Sequence, residues 1–126
     1  MPAPSACPCG LGLSYDACCG RLHRATVSAA TAEELMRSRY TAFVMHDAAY
    51  LRRTWALATR PAAIDFTPGQ EWTGLEIVGT TGGSPFHTEG TVEFRAHYTR
   101  NGRPGVQQEN STFTREAGHW VYTAAL

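Results

Sequence analysis

The chain has 126 residues, the size of one domain with room for a single substantial core. Hydrophobic residues make up 43% and charged residues 17%, which suits a globular fold and excludes a disordered one. Eleven basic residues balance eleven acidic ones, so bulk charge favours neither nucleic acid nor an anionic membrane, and no apolar run approaches the ~20 residues of a spanning helix.

The opening Met-Pro-Ala-Pro-Ser-Ala has neither the basic start nor the apolar core of a signal peptide. A reducing cytoplasm is therefore expected, where clustered cysteines are more often metal ligands or redox groups than disulfides. All four cysteines fall in CPCGLGLSYDACCG, residues 7–20, spaced Cys-x-Cys, eight residues, then Cys-Cys. Four thiolates at tetrahedral corners suit Zn²⁺, a closed-shell ion of borderline softness with no geometric demand of its own. The Gly10-Leu11-Gly12 turn and a short helical stretch around Ser14-Tyr15-Asp16 are expected to bring Cys7 and Cys9 against Cys18 and Cys19. Glycines there permit positive φ and let backbone amides face the sulfurs. Two disulfides or a redox pair remain open alternatives. Against them, adjacent cysteines rarely bridge each other, and Cys-x-Cys is not the Cys-x-x-Cys of thiol oxidoreductases. His23, between Arg21 and Arg24, reads as a substitute ligand or as part of a small basic rim that meets a partner.

TAEELMRSRYTAFVMHD, residues 31–47, carries a helix start signal. Thr31 and Glu34 make a capping box, the hydroxyl taking the third amide and the carboxylate reaching back to the cap amide. Leu35, Met36, Tyr40, Phe43 and Val44 recur at helical spacing and form one apolar face. Asp47 then caps a second helix over AAYLRRTWAL, residues 48–57, with Arg60-Pro61 marking its end.

From Trp72 the period changes to that of strands. GLEIVGTT puts Leu75 and Ile77 on one face; in GTVEFRAHYTR, Val92, Phe94, Ala96 and Tyr98 face one way and Glu93, Arg95 and His97 the other. NGRPG, residues 101–105, is a turn into VQQENSTFTRE, and AGHW turns the chain into HWVYTAA. Helices first and an antiparallel meander afterwards is an α+β order. A curved sheet wrapped around the leading helices makes a cone with a pocket at its open end.

Some polar residues sit where apolar ones are expected. Arg39 falls between Leu35 and Phe43 inside the apolar sector of its helix, with Arg37 near the edge. A buried arginine calls for an anionic partner. Glu109 and Ser111 share the face of Phe113, so an internal Arg39–Glu109 pair is expected, the alternative being an Arg39 that snorkels to solvent. Arg39, Tyr40, Trp55, Trp72, Tyr98, Glu109 and Ser111 are candidate lining for the pocket, whereas His97 belongs to the solvated rim. No spaced Asp–His or Cys–His pair demands catalysis.

CPCG followed by a glycine, SY and CCG resembles the SEC-C zinc motif, named for the tail of the SecA translocation motor. TAEELMRSRYTAF, WTGLEIVGTTGG, GTVEFRAHY, ENSTFTRE and GHWVYT together resemble the YchJ-like family of small bacterial proteins, nearly end to end. The resemblance implies a SEC-C segment over residues 1–25 and a nuclear-transport-factor-2-like (cystatin-like) cone over residues 26–126. By motif position Cys7, Cys9, Cys18 and Cys19 are the implied ligands of one structural zinc. The SecA-type motif ends in Cys-His and this one in Cys-Cys, which keeps four ligands. Leu11 and Leu13 replace the usual small polar and basic residues of the loop, making the knuckle more apolar. No reaction comes with the resemblance. The leading expectation is a zinc-binding adaptor that recognises a protein partner; the alternative is a small-molecule binding protein or acid–base enzyme using the cone pocket, with Glu109 as base or anchor.

Overall fold

A computed structural model describes residues 6–126; residues 1–5, read above for a leader sequence, lie outside the described residues. Three helices, α1 (Cys19–His23), α2 (Ala32–Met45) and α3 (Ala48–Arg53), precede four strands: β1 (Gln70–Gly82), β2 (Glu89–Arg100), β3 (Arg103–Glu116) and β4 (His119–Ala125). The strands form one antiparallel sheet in the order β1-β2-β3-β4, giving the expected α+β arrangement. No helix among the described residues is long and apolar enough to cross a membrane.

The capping signals act as the residue types dictate. The Thr31 hydroxyl accepts from the Glu34 amide at 3.0 Å, and the Glu34 carboxylate accepts from the Ala30 amide at 2.9 Å, one residue upstream of the cap amide expected. Asp47 caps α3 through the Tyr50 amide at 3.1 Å. The second helix is shorter than its pattern predicts, ending at Arg53 instead of running through Leu57. Sheet pairing takes over there: the Tyr122 amide donates to the Thr54 carbonyl, and the Ala56 amide donates to the Tyr122 carbonyl, both at 2.8 Å. Strand-type bonds to β4 thus consume groups that a continuing helix would need.

The strand faces follow the alternation. Val92, Phe94 and Ala96 are buried on the inner face with Phe113 and Trp120, where they meet Leu35, Met36 and Tyr40 of α2. Bulges at Trp72/Gly74 and Ile77/Gly79 in β1, and opposite Thr112/Phe113 in the β3–β4 pair, bend the sheet over that helix. Both later hairpins close on two residues with positive φ: Asn101 (51°) and Gly102 (82°), then Ala117 (51°) and Gly118 (82°). Such turns match the twist of the flanking strands.

Candidate functional site

The knuckle is built by tight turns. Gly10 and Gly12 take φ of +85° and +86°, the left-handed values expected of this loop. The Cys7 amide donates to the Leu13 carbonyl at 2.8 Å, closing the loop into a small bridge between Ala6 and Ser14. The helical turn of the knuckle is α1, beginning at Cys19, and not the stretch around Ser14–Asp16, which forms turns.

All four cysteines are free and buried, and their four sulfurs lie within 4.8 Å of one another. Cys9 and Cys18 sulfurs are 3.5 Å apart. Zn–S bonds of about 2.3 Å place the corners of a sulfur tetrahedron about 3.8 Å apart, so the donor set fits one ion of this kind. The thiols differ in acidity. Hydrogen bonds, chiefly from the Cys19 thiol and then from the Leu11 amide, hold Cys9 at about 5 despite its burial. Burial pushes Cys18 up to about 11, and the hydrogen bond to Cys9 together with burial raises Cys19 further. Hydrogen bonding within the cluster thus favours a thiolate at Cys9, while burial opposes further charge on Cys18 and Cys19.

The knuckle is seated on the α2–α3 face by polar and apolar contacts together. The Thr41 hydroxyl, fully buried, donates to Cys19 Sγ at 3.4 Å and lies 3.7 Å from Cys7 Sγ. Arg37, paired with Glu33 at 3.0 Å, donates from Nη1 to the Cys9 carbonyl at 2.7 Å. Leu22 is buried with Ala42, Tyr50 and Leu51. His23 is neither a ligand nor a basic rim: its Nε2 donates to the Ser38 carbonyl at 2.9 Å, which leaves Nδ1 to accept from the Tyr15 hydroxyl at 2.7 Å. Leu11 and Leu13 stay half-exposed, at 50% and 49%, and the cone does not cover them.

Under the sheet lies a cavity of about 220 Å³. Arg39, Tyr40, Trp55, Trp72, Glu109 and Ser111 line it. Tyr98 does not: its ring meets the edge of Trp72 at 5.4 Å and lies over Gly105 of the neighbouring strand. His97 is on the outer, exposed face, 3.7 Å from Glu76. Tyr122 and Gln107 also line the cavity and were not singled out from the sequence. The alternation of Trp120 with Tyr122 along β4 carried the signal for the former.

The expected Arg39–Glu109 ion pair does not form. Arg39 is 3% exposed, so it does not snorkel either. Its Nη1 donates to the Leu51 carbonyl at 2.8 Å and to the Thr54 hydroxyl at 2.7 Å. Its guanidinium lies beside the rings of Trp55 and Tyr122, 5.0 and 4.8 Å from their centroids, and those rings meet each other edge-on at 5.0 Å. The early end of α3 explains this: it frees the Leu51 carbonyl and brings Trp55 beside β4. Glu109 instead accepts from Gln107 at 2.8 Å and Ser111 at 3.3 Å. Burial lowers the Arg39 guanidinium to about 10, which leaves it a cation at neutral pH, and burial raises the Tyr122 hydroxyl, with the Glu109 charge adding to the rise.

A family model described as YchJ, middle NTF2-like domain, matches residues 31–125, the α2-to-β4 body of the fold. The chain belongs to the YchJ-like family. A UPF0225 protein of Streptomyces avermitilis is 59% identical over 96% of this chain and 84% of its own length. Another from Corynebacterium glutamicum is 48% identical over 93% of each chain. The solution structure of a SEC-C motif containing protein from Rhodopseudomonas palustris superposes with a TM-score of 0.84, at 33% identity, over 95% of this chain and 96% of that one. A crystal structure of a SEC-C motif containing protein from Psychrobacter arcticus gives 0.76 at 28% identity, over 93% and 79%. Those two SEC-C motif containing proteins share this fold over nearly the whole of this chain, and the four clustered cysteines here are compatible with holding a metal ion.

Proposed function

We propose that Cys7, Cys9, Cys18 and Cys19 bind a single Zn²⁺ as a structural ion, and that the knuckle so formed is a protein-recognition element in the reducing cytoplasm. The observation that carries the reading is the convergence of four free, buried sulfurs within 4.8 Å on a base made by α1 and α2. Four thiolates fill a tetrahedral shell and leave no position for a water nucleophile, so the ion organises the chain instead of activating a substrate. When bound, it supplies the positive charge that lets all four sulfurs ionise together. The Leu11 amide and the Thr41 hydroxyl then share the remaining negative charge.

The recognition element is the loop carrying Leu11 and Leu13. Beside these half-exposed side chains run Arg21, Arg37, Glu33 and Glu34, which give the apolar spot a charged border of both signs. A partner presenting one or two apolar side chains within a polar surround matches it. Metal analysis of the purified protein is expected to give about one zinc per chain. Affinity capture is then compared for the wild type, Cys18→Ser and a Leu11→Ser/Leu13→Ser double variant. The metal reading expects zinc lost in Cys18→Ser and kept in the leucine variant. The recognition reading expects one partner, retained by the wild type alone. A leucine variant that captures the same partner equally well would overturn the docking assignment while leaving the metal site standing.

A further inference from the structure

The buried cation of the cone has three of its five N–H donors unused. Arg39 Nη1 is fully engaged by Leu51 and Thr54, yet Nε and Nη2 donate to no protein atom among the described residues. Neither is sealed in: among the enclosed side-chain nitrogens and oxygens of the described residues, Trp55 Nε1 alone lacks a partner. Arg39 lines the cavity, and its Nε–Nη2 edge is the part that no protein group among the described residues engages. No carboxylate pairs with it among the described residues.

An uncompensated cation in an apolar cavity is costly, and side-on pairing of Nε and Nη2 with two oxygens of a carboxylate is the geometry that relieves it best. The two Nη1 hydrogen bonds and the contact with the Trp55 and Tyr122 rings hold the guanidinium in place, so little freedom is lost on binding. Beyond this charge the walls are rings: Tyr40, Phe43, Trp72 and Phe94. About 220 Å³ is below the size of ordinary drug-sized pockets and suits a ligand of one ring. Glu109, Gln107 and Ser111 form the other polar part of the lining, and the negative charge of Glu109 disfavours a second acidic group there.

We infer that the cone cavity is a binding site for a small aromatic monocarboxylate, its carboxylate seated on the Nε–Nη2 edge of Arg39 and its ring among Tyr40, Phe43, Trp72 and Phe94. The site is independent of the cysteine cluster.

The test uses the full chain, loaded with zinc and isotopically labelled, titrated with benzoate, with the uncharged isostere benzamide and with hexanoate. Saturable binding of benzoate is expected, with the Arg39 Nε–H resonance shifting on the same isotherm. Benzamide is expected to bind about 10- to 100-fold more weakly, the difference made by a charge-assisted contact. Arg39→Lys keeps the charge but loses the fork, and should weaken benzoate about tenfold if the variant folds. Ala96→Leu fills the cavity from the sheet side and is expected to abolish binding. Equal affinity for benzoate and benzamide, a silent Arg39 resonance, or no binding by any acid at millimolar concentration would each overturn the site. Hexanoate binding as tightly as benzoate would overturn the aromatic assignment.

Discussion

Thr41→Val separates the metal site from the fold that carries it. The Thr41 side chain is fully buried, and its hydroxyl is the donor that α2 offers to Cys19 Sγ, at 3.4 Å, with Cys7 Sγ at 3.7 Å. Valine keeps the branched shape and removes the donor. A hydrogen bond to a charged group is worth about 1.5–3 kcal/mol, and sulfur is a diffuse acceptor whose charge the metal shares, so the lower part of that range applies. At about 1.4 kcal/mol per decade, zinc affinity should fall about 10-fold, with a ceiling near 30-fold. Competition against a chromophoric chelator reads this directly, and the thiolate charge-transfer band of the cobalt-substituted protein confirms that four sulfurs still bind. Thr41→Ser, which restores the hydroxyl, should return close to wild-type affinity. Equal zinc affinity in the wild type and Thr41→Val would refute the claim that α2 tunes the sulfurs. So would a loss matched by Thr41→Ser, because packing alone would then explain it.

Three further outcomes follow from other parts of the molecule. Leu22→Ala should lower the unfolding free energy by about 2–5 kcal/mol in chemical denaturation, since Leu22 is buried among Ala42, Tyr50 and Leu51; a loss well under 1 kcal/mol would show that the knuckle only rests on the helices. Burial raises the Tyr40 hydroxyl from 10.0 to about 12. A folded-state value above the unfolded one means stability is intact below pH 10 and drains as pH rises from about 10 to 12, so Tyr40→Phe should flatten alkaline denaturation in that window. Ala117 holds φ of 51° at the first position of a two-residue turn, where a left-handed alanine costs about 1 kcal/mol. Ala117→Asn should therefore raise the melting temperature by a few degrees, and an unchanged or lower value would count against the turn assignment.

The sequence by itself determined the elements whose signals are local. The Thr31–Glu34 box, the Asp47 cap, the two-residue turns at Asn101 and Ala117 and the alternation from Val92 to Tyr98 each depend on a few neighbouring residues, and each appears where its chemistry places it. The cysteine spacing likewise marked the residues that converge, because tight turns at Gly10 and Gly12 leave the chain little freedom to do otherwise. What only the tertiary structure decided involves groups far apart in the chain. The second helix ends early because β4 captures its backbone, which sequence period cannot register. That same capture sets Trp55 and Tyr122 around Arg39 and supplies the Leu51 carbonyl, so neutral groups take the role Glu109 was expected to fill. The knuckle followed the same rule. It is a bound part of the core face, because Thr41, Arg37 and Ser38 turn polar groups of α2 toward it from the side that the apolar stripe of that helix leaves free.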